Sequence, residues 1–262
     1  MTTWRILRYQ LRDAVRSRAL ILYGVFFLVA TELLVRFSGD RAQALLSLAN
    51  LTLLVVPLVS LVLGTTFVYN AREFTELLLS QPVNRPQLFA GLYLGVAAPL
   101  IGGFLLGVGI PVVVHGLDRQ GGVWTVALLG VAATYLTAIF TAIAFAIALR
   151  SDDRLGGIGL ALGTWLFVAV VWDALVLFGA NAFYAYPLER PLLVSMLLNP
   201  VDLARVVLML NFDVAALMGY TGTVFRSFFG SALGLAVALA ALTVWLLVPL
   251  SLGLRRFARK DF

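Results

Sequence analysis

The chain has 262 residues, of which 61% are hydrophobic and 12% are charged, and its formal net charge is +6. A soluble domain is roughly 45–50% apolar and about 25% charged, so this chain has too little polar surface to cover itself in water. It contains no cysteine, which excludes disulfides, thiolate metal sites and cysteine nucleophiles. We therefore expect an all-α protein that spans a lipid bilayer several times, with its arginines at the membrane surface rather than on nucleic acid.

The first predicted element is an amphipathic helix over residues 1–18. Apolar residues at 3–4-residue spacing line one face, namely Trp4, Leu7, Leu11 and Val15. Arginines line the neighbouring face, namely Arg5, Arg8, Arg12 and Arg16. This pattern favours a helix in the plane of the headgroups, with its guanidinium groups at the phosphates. A generic positively charged segment that only sets the topology is the alternative.

Six apolar segments follow, each near the length of about 20 residues that a helix needs to cross a bilayer. They are residues 19–35, 45–68, 88–114, 123–149, 157–179 and 229–252. Basic residues concentrate before the first segment, in the second and fourth connections and at the C-terminal end. By the positive-inside rule these parts face the cytoplasm, so we expect both termini on the cytoplasmic side of a bacterial inner membrane.

The cytoplasmic connection over residues 71–86 has the pattern of a short amphipathic helix. Arg72 and Glu76 are four residues apart and can pair on one face, and apolar side chains share another face. Pro82 ends the helix, because the residue before a proline disfavours the helical region. An apolar ridge flanked by charges is what a helix needs to dock into a groove of a soluble partner. A helix that packs only against the ends of the spans is the alternative.

A long outer connection, residues 180–228, is predicted to be ordered and largely helical because it is rich in apolar residues. Asn199 is a good N-cap, Pro200 suits the first helical position, and Asp202 lies where the helix dipole favours an anion. A helix is therefore expected over roughly 200–210. Loops of this length are functional or disordered, so we consider Asn199, Pro200, Asp202 and Arg205 candidates for a partner contact or an exit gate.

The chain offers little chemistry of its own. It lacks a Gly-rich phosphate-binding loop, so we do not expect it to bind a nucleotide or another cofactor, nor to act as an enzyme by itself. Three loop methionines, Met196, Met209 and Met218, are thioethers of the kind that suits Cu(I), but their spacing is irregular. A membrane-embedded enzyme would need polar groups converging at one depth, which the sequence does not indicate. Energy must come from a separate protein, unless the chain is a passive channel or a scaffold.

Residues 73–85 (EFTELLLSQPVNR) resemble the signature of type-2 ABC exporter permeases. The stretch from Glu76 to Ser80 matches, as do Pro82, Val83 and Arg85, whereas Glu73 and Phe74 stand where that family usually has Gly-Thr, and Asn84 where it has Ser. The resemblance implies a single permease domain over residues 1–262, in which this loop is the coupling helix that sits in a cleft of an ATPase subunit. ATP and Mg²⁺ would be used by that partner. The implied coupling residues are Arg72, Glu73, Phe74, Glu76, Leu77, Leu78, Pro82 and Arg85.

Within this family, residues 197–205 (LLNPVDLAR) and 218–222 (MGYTG) look like the NosY subunits. Those subunits work with an ATPase, NosF, and a periplasmic protein, NosD, in the maturation of the copper sites of nitrous oxide reductase. The resemblance implies a homodimer with NosF-like and NosD-like partners. An ABC exporter permease for a lipid, peptide or drug, and a membrane scaffold that transports nothing, are the alternatives.

Overall fold

The computed structural model describes residues 17–80, 84–116, 122–184, 189–209 and 232–259. Within these ranges the regular elements are helices, which confirms the all-α fold class. The predicted interfacial helix over residues 1–18 lies outside the described residues except for its last two positions. Pro82 and Met218 also lie outside them.

Six helical segments in the described ranges are long and apolar enough to cross a membrane, as the sequence predicts. They are α1 (Arg18–Phe37), α2 (Arg41–Asn70), α4 (Arg85–Val114), α5 (Gly122–Ala148), a fifth span (Arg154–Ala182) and α10 (Ala232–Arg259). The fifth span consists of α6 (Arg154–Leu166), a π-helical turn (Phe167–Val171) and α7 (Trp172–Ala182). The shorter helices are α3 (Arg72–Leu79), α8 (Glu189–Leu197) and α9 (Pro200–Met209).

Side-chain caps mark the starts of two spans. The Asp40 carboxylate accepts a hydrogen bond from the backbone N–H of Ala42 at 3.4 Å, at the beginning of α2. Asp153 accepts from two backbone N–H groups of α6, at 3.0 and 2.8 Å. Gly39 adopts a φ of 53° in the turn between α1 and α2, a conformation that glycine adopts without strain. Because this turn is so short, α1 and α2 are neighbouring antiparallel helices.

The hydrophobic core lies between α2, α4 and α5, with α1 packed on α4 and α10 packed on α5. Small residues bring the backbones of α1 and α4 together. A Cβ atom on Gly107 would lie 2.6 Å from the Gly24 carbonyl oxygen and 3.0 Å from the Phe27 Cβ. Such close approach at small residues is typical of helix pairs in membranes, where dispersion contacts rather than the hydrophobic effect hold the helices together.

The last span continues to Arg259, well beyond its predicted end at residue 252. Phe257 is buried in the core, and Arg256 Nη1 donates to the Ala146 carbonyl oxygen at the end of α5 at 2.8 Å. Arg255, Arg256 and Arg259 therefore belong to the helix. Arg256 satisfies a carbonyl at the end of the neighbouring helix.

The outer connection contains a helical hairpin, formed by α8 and α9. Residues Pro191–Leu197 and Pro200–Leu208 are joined at a bend of 105°. The second arm, α9, occupies the segment for which the sequence predicts a helix over roughly 200–210, and it packs against α5 and α10. The hairpin thus returns into the helix bundle instead of projecting away from it.

Candidate functional site

The short helix α3 has an exposed face and a face that packs against the rest of the bundle. Leu77 is 70% exposed and Phe74 is 37% exposed, whereas Leu78 packs against the core. On the inner face Thr75 is buried, and its hydroxyl donates to the Ala71 carbonyl oxygen at 2.7 Å. The apolar ridge that the sequence predicts is therefore divided, with Leu77 most exposed and Leu78 facing inwards.

The charged side chains of α3 form ion pairs at its surface. Arg72 Nε lies 3.3 Å from Glu76 Oε1, as the i,i+4 spacing predicts, and Arg72 Nη1 lies 3.2 Å from Asp152 Oδ1. All three side chains are substantially exposed, so each pair contributes about 1 kcal/mol or less to stability. Their main effect is to orient Arg72 between α3 and the connection that joins α5 to α6.

That connection is also tied to the end of α2. The Tyr69 hydroxyl lies 3.0 Å from the Ser151 carbonyl oxygen and 3.1 Å from the Asp153 carbonyl oxygen. The hydroxyl rests against Gly157, where any Cβ atom would collide with it. Tyr69 at the end of α2 and Arg72 at the start of α3 thus both contact residues 151–153. Sequence reasoning missed this link, because the partners are more than 80 positions apart and form no local motif.

Arg85, a predicted coupling residue, contacts another part of the same chain. Its Nη1 donates to the Ala258 carbonyl oxygen at 2.8 Å, near the C-terminal end of α10. Arginine suits this position because carbonyl groups at a helix end lack partners within the helix. The beginning of α4 and the end of α10 therefore lie together at the side of the bundle where α3 lies.

At the opposite side of the molecule the predicted outer-loop residues meet at the π-helical turn. Trp172 N–H bonds to the Phe167 carbonyl, five residues back, so the Val168 carbonyl loses the donor that an α-helix would supply. Asn199 Nδ2 donates to Val168 O at 2.9 Å, and Asn199 Oδ1 accepts from Val201 N–H at 2.9 Å. Asn199 is therefore the N-cap that the sequence predicts and also holds the hairpin to the fifth span.

An ion cluster lies beside this contact. Arg205 Nη1 is 2.8 Å from Asp202 Oδ1, and Arg205 Nη2 is 3.1 Å from Asp173 Oδ2, just after the π-helical turn. Asp202 is buried, and so is Pro200. The indole Nε1 of Trp245 on α10 donates to the Leu197 carbonyl oxygen at the bend, at 3.0 Å. Three predicted residues, Asn199, Asp202 and Arg205, thus fasten the hairpin from inside.

Of the three loop methionines, only Met196 has a side chain that the structure describes. Met196 packs against the core, and the side chains of Met209 and Met218 lie outside what the structure describes. In the described ranges no group of three His, Cys, Asp or Glu side chains could hold a metal ion. His115 Nε2 lies 2.9 Å from Glu32 Oε2, and Arg36 Nε lies 2.6 Å from Glu32 Oε1. His115 thus joins the C-terminal ends of α1 and α4.

Comparison with known proteins places these features in a family. The family model described as ABC-2 family transporter protein matches residues 4–262. The chain is 28% identical to the probable ABC transporter permease protein NosY of Pseudomonas aeruginosa, over 82% of this chain and 84% of that relative. It is 27% identical to the protein of the same name from Stutzerimonas stutzeri, over 98% of both chains.

Proposed function

The chain belongs to the ABC-2 family of transporter proteins and is a NosY-like, multi-pass permease subunit of an ABC transporter. From this premise we propose that α3 couples the membrane spans to a separate, NosF-like ATPase. That partner binds ATP and Mg²⁺, and this chain binds no cofactor. Closing and opening of the ATPase moves the spans, either to export a substrate or to transmit force across the membrane during copper-site maturation of nitrous oxide reductase.

The observation that carries the proposal is the combination of an exposed ridge and a rigid base in one short helix. Leu77 projects outwards as an apolar contact for a groove, with Glu73 and Glu76 beside it. Behind it, Thr75 is buried, and Arg72 pairs with Asp152 of the neighbouring connection. A push on Leu77 therefore reaches α2, α5 and α6 together instead of bending a loose loop.

We also propose that two copies of the chain assemble in the membrane. Only 6% of the residues in the apolar stretch of the fifth span, and 17% of those in α1, are buried within one chain. Both spans therefore have large faces for lipid or for a second copy. An apolar groove of about 920 Å³ runs between α1 and α2 and reaches Leu162 of α6. This groove favours a second candidate function, the export of a lipid or another apolar substrate.

The outer hairpin is the part that we assign to a NosD-like periplasmic protein or to an exit gate. Its inner residues Asn199, Asp202 and Arg205 fix it to the fifth span, while Val194 and Leu198 are exposed on its other side. An ordered hairpin with an exposed apolar face suits a partner contact, and a latch made of a few polar bonds suits a gate. Copper binding by Met196, Met209 and Met218 is a weaker hypothesis, because their spacing along the chain is irregular.

The inner membrane of a bacterium, with both termini in the cytoplasm, is the location that this function requires. Exposed arginines at the beginning of α1 and α6 and the end of α10 support this orientation, since basic residues remain on the cytoplasmic side.

The proposal is tested by purifying the tagged chain from gently solubilised native membranes and identifying what accompanies it. We expect an ABC ATPase with the wild-type chain, and its loss with Leu77→Asp, because a charge cannot enter an apolar groove without desolvation. Phe37→Asp is the matched control, since Phe37 is 81% exposed and lies at the C-terminal end of α1, on the opposite side of the bundle from α3. This variant should retain the ATPase. Absence of any ATPase from the wild-type preparation would remove the energy source and favour a scaffold.

A further inference from the structure

Several hydroxyl groups inside the bundle have nothing to bind. Ser60 and Thr65 of α2 and Thr137 and Thr141 of α5 are completely buried, and among the described residues their hydroxyl oxygens find no hydrogen-bond partner. We call these four residues the hydroxyl seam. Buried polar groups in proteins are almost always paired, so each exception points to a ligand, a water molecule or strain.

Other threonines in the same helices show what is missing. The hydroxyl of Thr52 donates to the Leu48 carbonyl oxygen at 2.7 Å, and that of Thr134 donates to the Gly130 carbonyl oxygen at 2.7 Å. This bond to the carbonyl four residues back is the usual solution for serine and threonine in membrane helices. The residues of the hydroxyl seam do not use it, although they lie in the same kind of helix.

The hydroxyl seam flanks a contact between α2 and α5, at which Gly64 lies against Thr141. A Cβ atom on Gly64 would lie 2.8 Å from Ala144 Cβ and 3.7 Å from Thr141 Cγ2, so the two helices touch there. Helix α2 is the second span and α5 is the fourth, so the two helices run in the same direction. Ser60 is one turn before Gly64, and Thr137 is one turn before Thr141, so Ser60 and Thr137 lie at the same level. Thr65 directly follows Gly64.

One turn nearer the cytoplasm, α2 and α5 enclose a small cavity together with α3, α4 and α10. It measures about 20 Å³, room for about one water molecule, and Arg72 and Thr75 are among its lining residues. The rings of Phe67 and Phe145 line it and are stacked, with centroids 6.5 Å apart. Phe67 follows Gly64 by three residues and Phe145 follows Thr141 by four, so the stacked rings lie between the cavity and the hydroxyl seam.

We propose that the hydroxyl seam is a binding site for water and small hydrated solutes that is entered from the cytoplasm, and that the stacked rings of Phe67 and Phe145 close it in this conformation. Hydrophobic constrictions gate aqueous paths in this way, because water withdraws from a narrow apolar neck. When the rings separate, the four hydroxyls gain the hydrogen bonds that they lack in the closed state.

The seam itself follows from the geometry alone, but its control rests on the proposed function. Thr75 of α3 lines the cavity below the rings. A displacement of α3 by an ATPase would therefore act first on the cavity and then on Phe67 and Phe145. In this arrangement opening of the site depends on ATP, whereas the polar character of the site does not.

The test uses cysteine substitution, because the native chain contains no cysteine. Thr141→Cys, alone and combined with Phe145→Ala, is reacted in native membranes with a small cationic methanethiosulfonate. We expect the combination to react at least ~10-fold faster than Thr134→Cys with Phe145→Ala, because only a hydrated thiol forms the reactive thiolate readily. Equal rates for the two positions would overturn the site.

A second measurement keeps the proposal testable if Phe145→Ala misfolds. Thr141→Cys is therefore also combined with Phe145→Leu, which removes the aromatic ring but keeps the position apolar. The proposal expects this combination to react faster than Thr134→Cys with Phe145→Leu. Equal rates would contradict it.

Labelling with and without ATP distinguishes this proposal from the proposed function. Labelling of Thr141→Cys that changes on addition of ATP to inverted membrane vesicles supports both. Labelling that exceeds the Thr134→Cys control but ignores ATP keeps the hydroxyl seam and rejects its control by α3.

Discussion

Asn199 does two things that are usually divided between residues. Its Oδ1 caps α9. Its Nδ2 donates to the Val168 carbonyl, which loses its α-helical donor in the π-helical turn because Trp172 N–H bonds to the Phe167 carbonyl. Both partners are backbone groups in a poorly hydrated place, where an unpaired polar atom is costly. One buried side chain therefore stabilises the beginning of a helix and the irregularity of its neighbour together.

Asn199→Ala should lower the stability of the chain by about 1–3 kcal/mol, since it leaves one N–H and one carbonyl unpaired. Thermal unfolding in detergent measures this change. Ser195→Ala is the control, because the Ser195 hydroxyl bonds only to the Leu192 carbonyl oxygen of its own helix. If the two variants unfold at the same temperature, Asn199 does not hold the hairpin.

Sequence reasoning predicts contacts between close neighbours in the chain and misses contacts between distant residues. The cap at Asn199, the position of Pro200 and the first-turn Asp202 were predictable, because they depend on neighbours within three residues. The contacts of Asn199 with Val168 and of Arg205 with Asp173 were not, because the π-helical turn lacks a glycine or proline signal and its partners are about 30 positions away. The unpaired hydroxyls are visible only in three dimensions.

Helix α3 is an example of an element whose role is set by its neighbours. Its sequence predicts an amphipathic helix with a docking ridge. Arg72 attaches it to Asp152, and the adjoining end of α2 is held to the same connection by the Tyr69 hydroxyl, which lies against Gly157. The start of α6 and the end of α2 are close enough for this contact only because Gly157 has no side chain. A glycine in an exposed helix would otherwise be replaceable.

Gly157→Ala should lower stability by about 1–3 kcal/mol, because its methyl group collides with Tyr69 and forces the two helices apart. Gly163→Ala, in the same helix, meets nothing within 4 Å and should be neutral or slightly stabilising. Thermal unfolding of both variants gives the comparison. Adding Tyr69→Phe to Gly157→Ala removes the colliding oxygen and should recover part of the loss. Equal stability of Gly157→Ala and Gly163→Ala would refute the contact.

The hairpin of α8 and α9 decides how many times the chain crosses the membrane. Its two arms contain seven and nine residues by their bounds, Pro191–Leu197 and Pro200–Leu208. At 1.5 Å per residue neither arm reaches half of a hydrocarbon core of about 30 Å, and a bend of 105° shortens the pair further. Counted as a span, the hairpin would make seven crossings and move the end of α10 to the outer side.

The contacts of the last span argue for six crossings. Arg85 at the start of α4 binds the carbonyl of Ala258, and Arg256 binds the carbonyl of Ala146 at the end of α5. The end of α10 is thereby fixed at the same side of the bundle as α3.

Single cysteines at Leu77, Phe37 and Arg259, all exposed, can report this arrangement. With a charged, impermeant thiol reagent on spheroplasts, we expect Phe37→Cys to react at once, and Leu77→Cys and Arg259→Cys to react only after permeabilisation. Reaction of Arg259→Cys from outside, with Leu77→Cys still protected, would mean that the hairpin crosses the membrane, and the bonds of Arg85 and Arg256 could then not exist in the native protein.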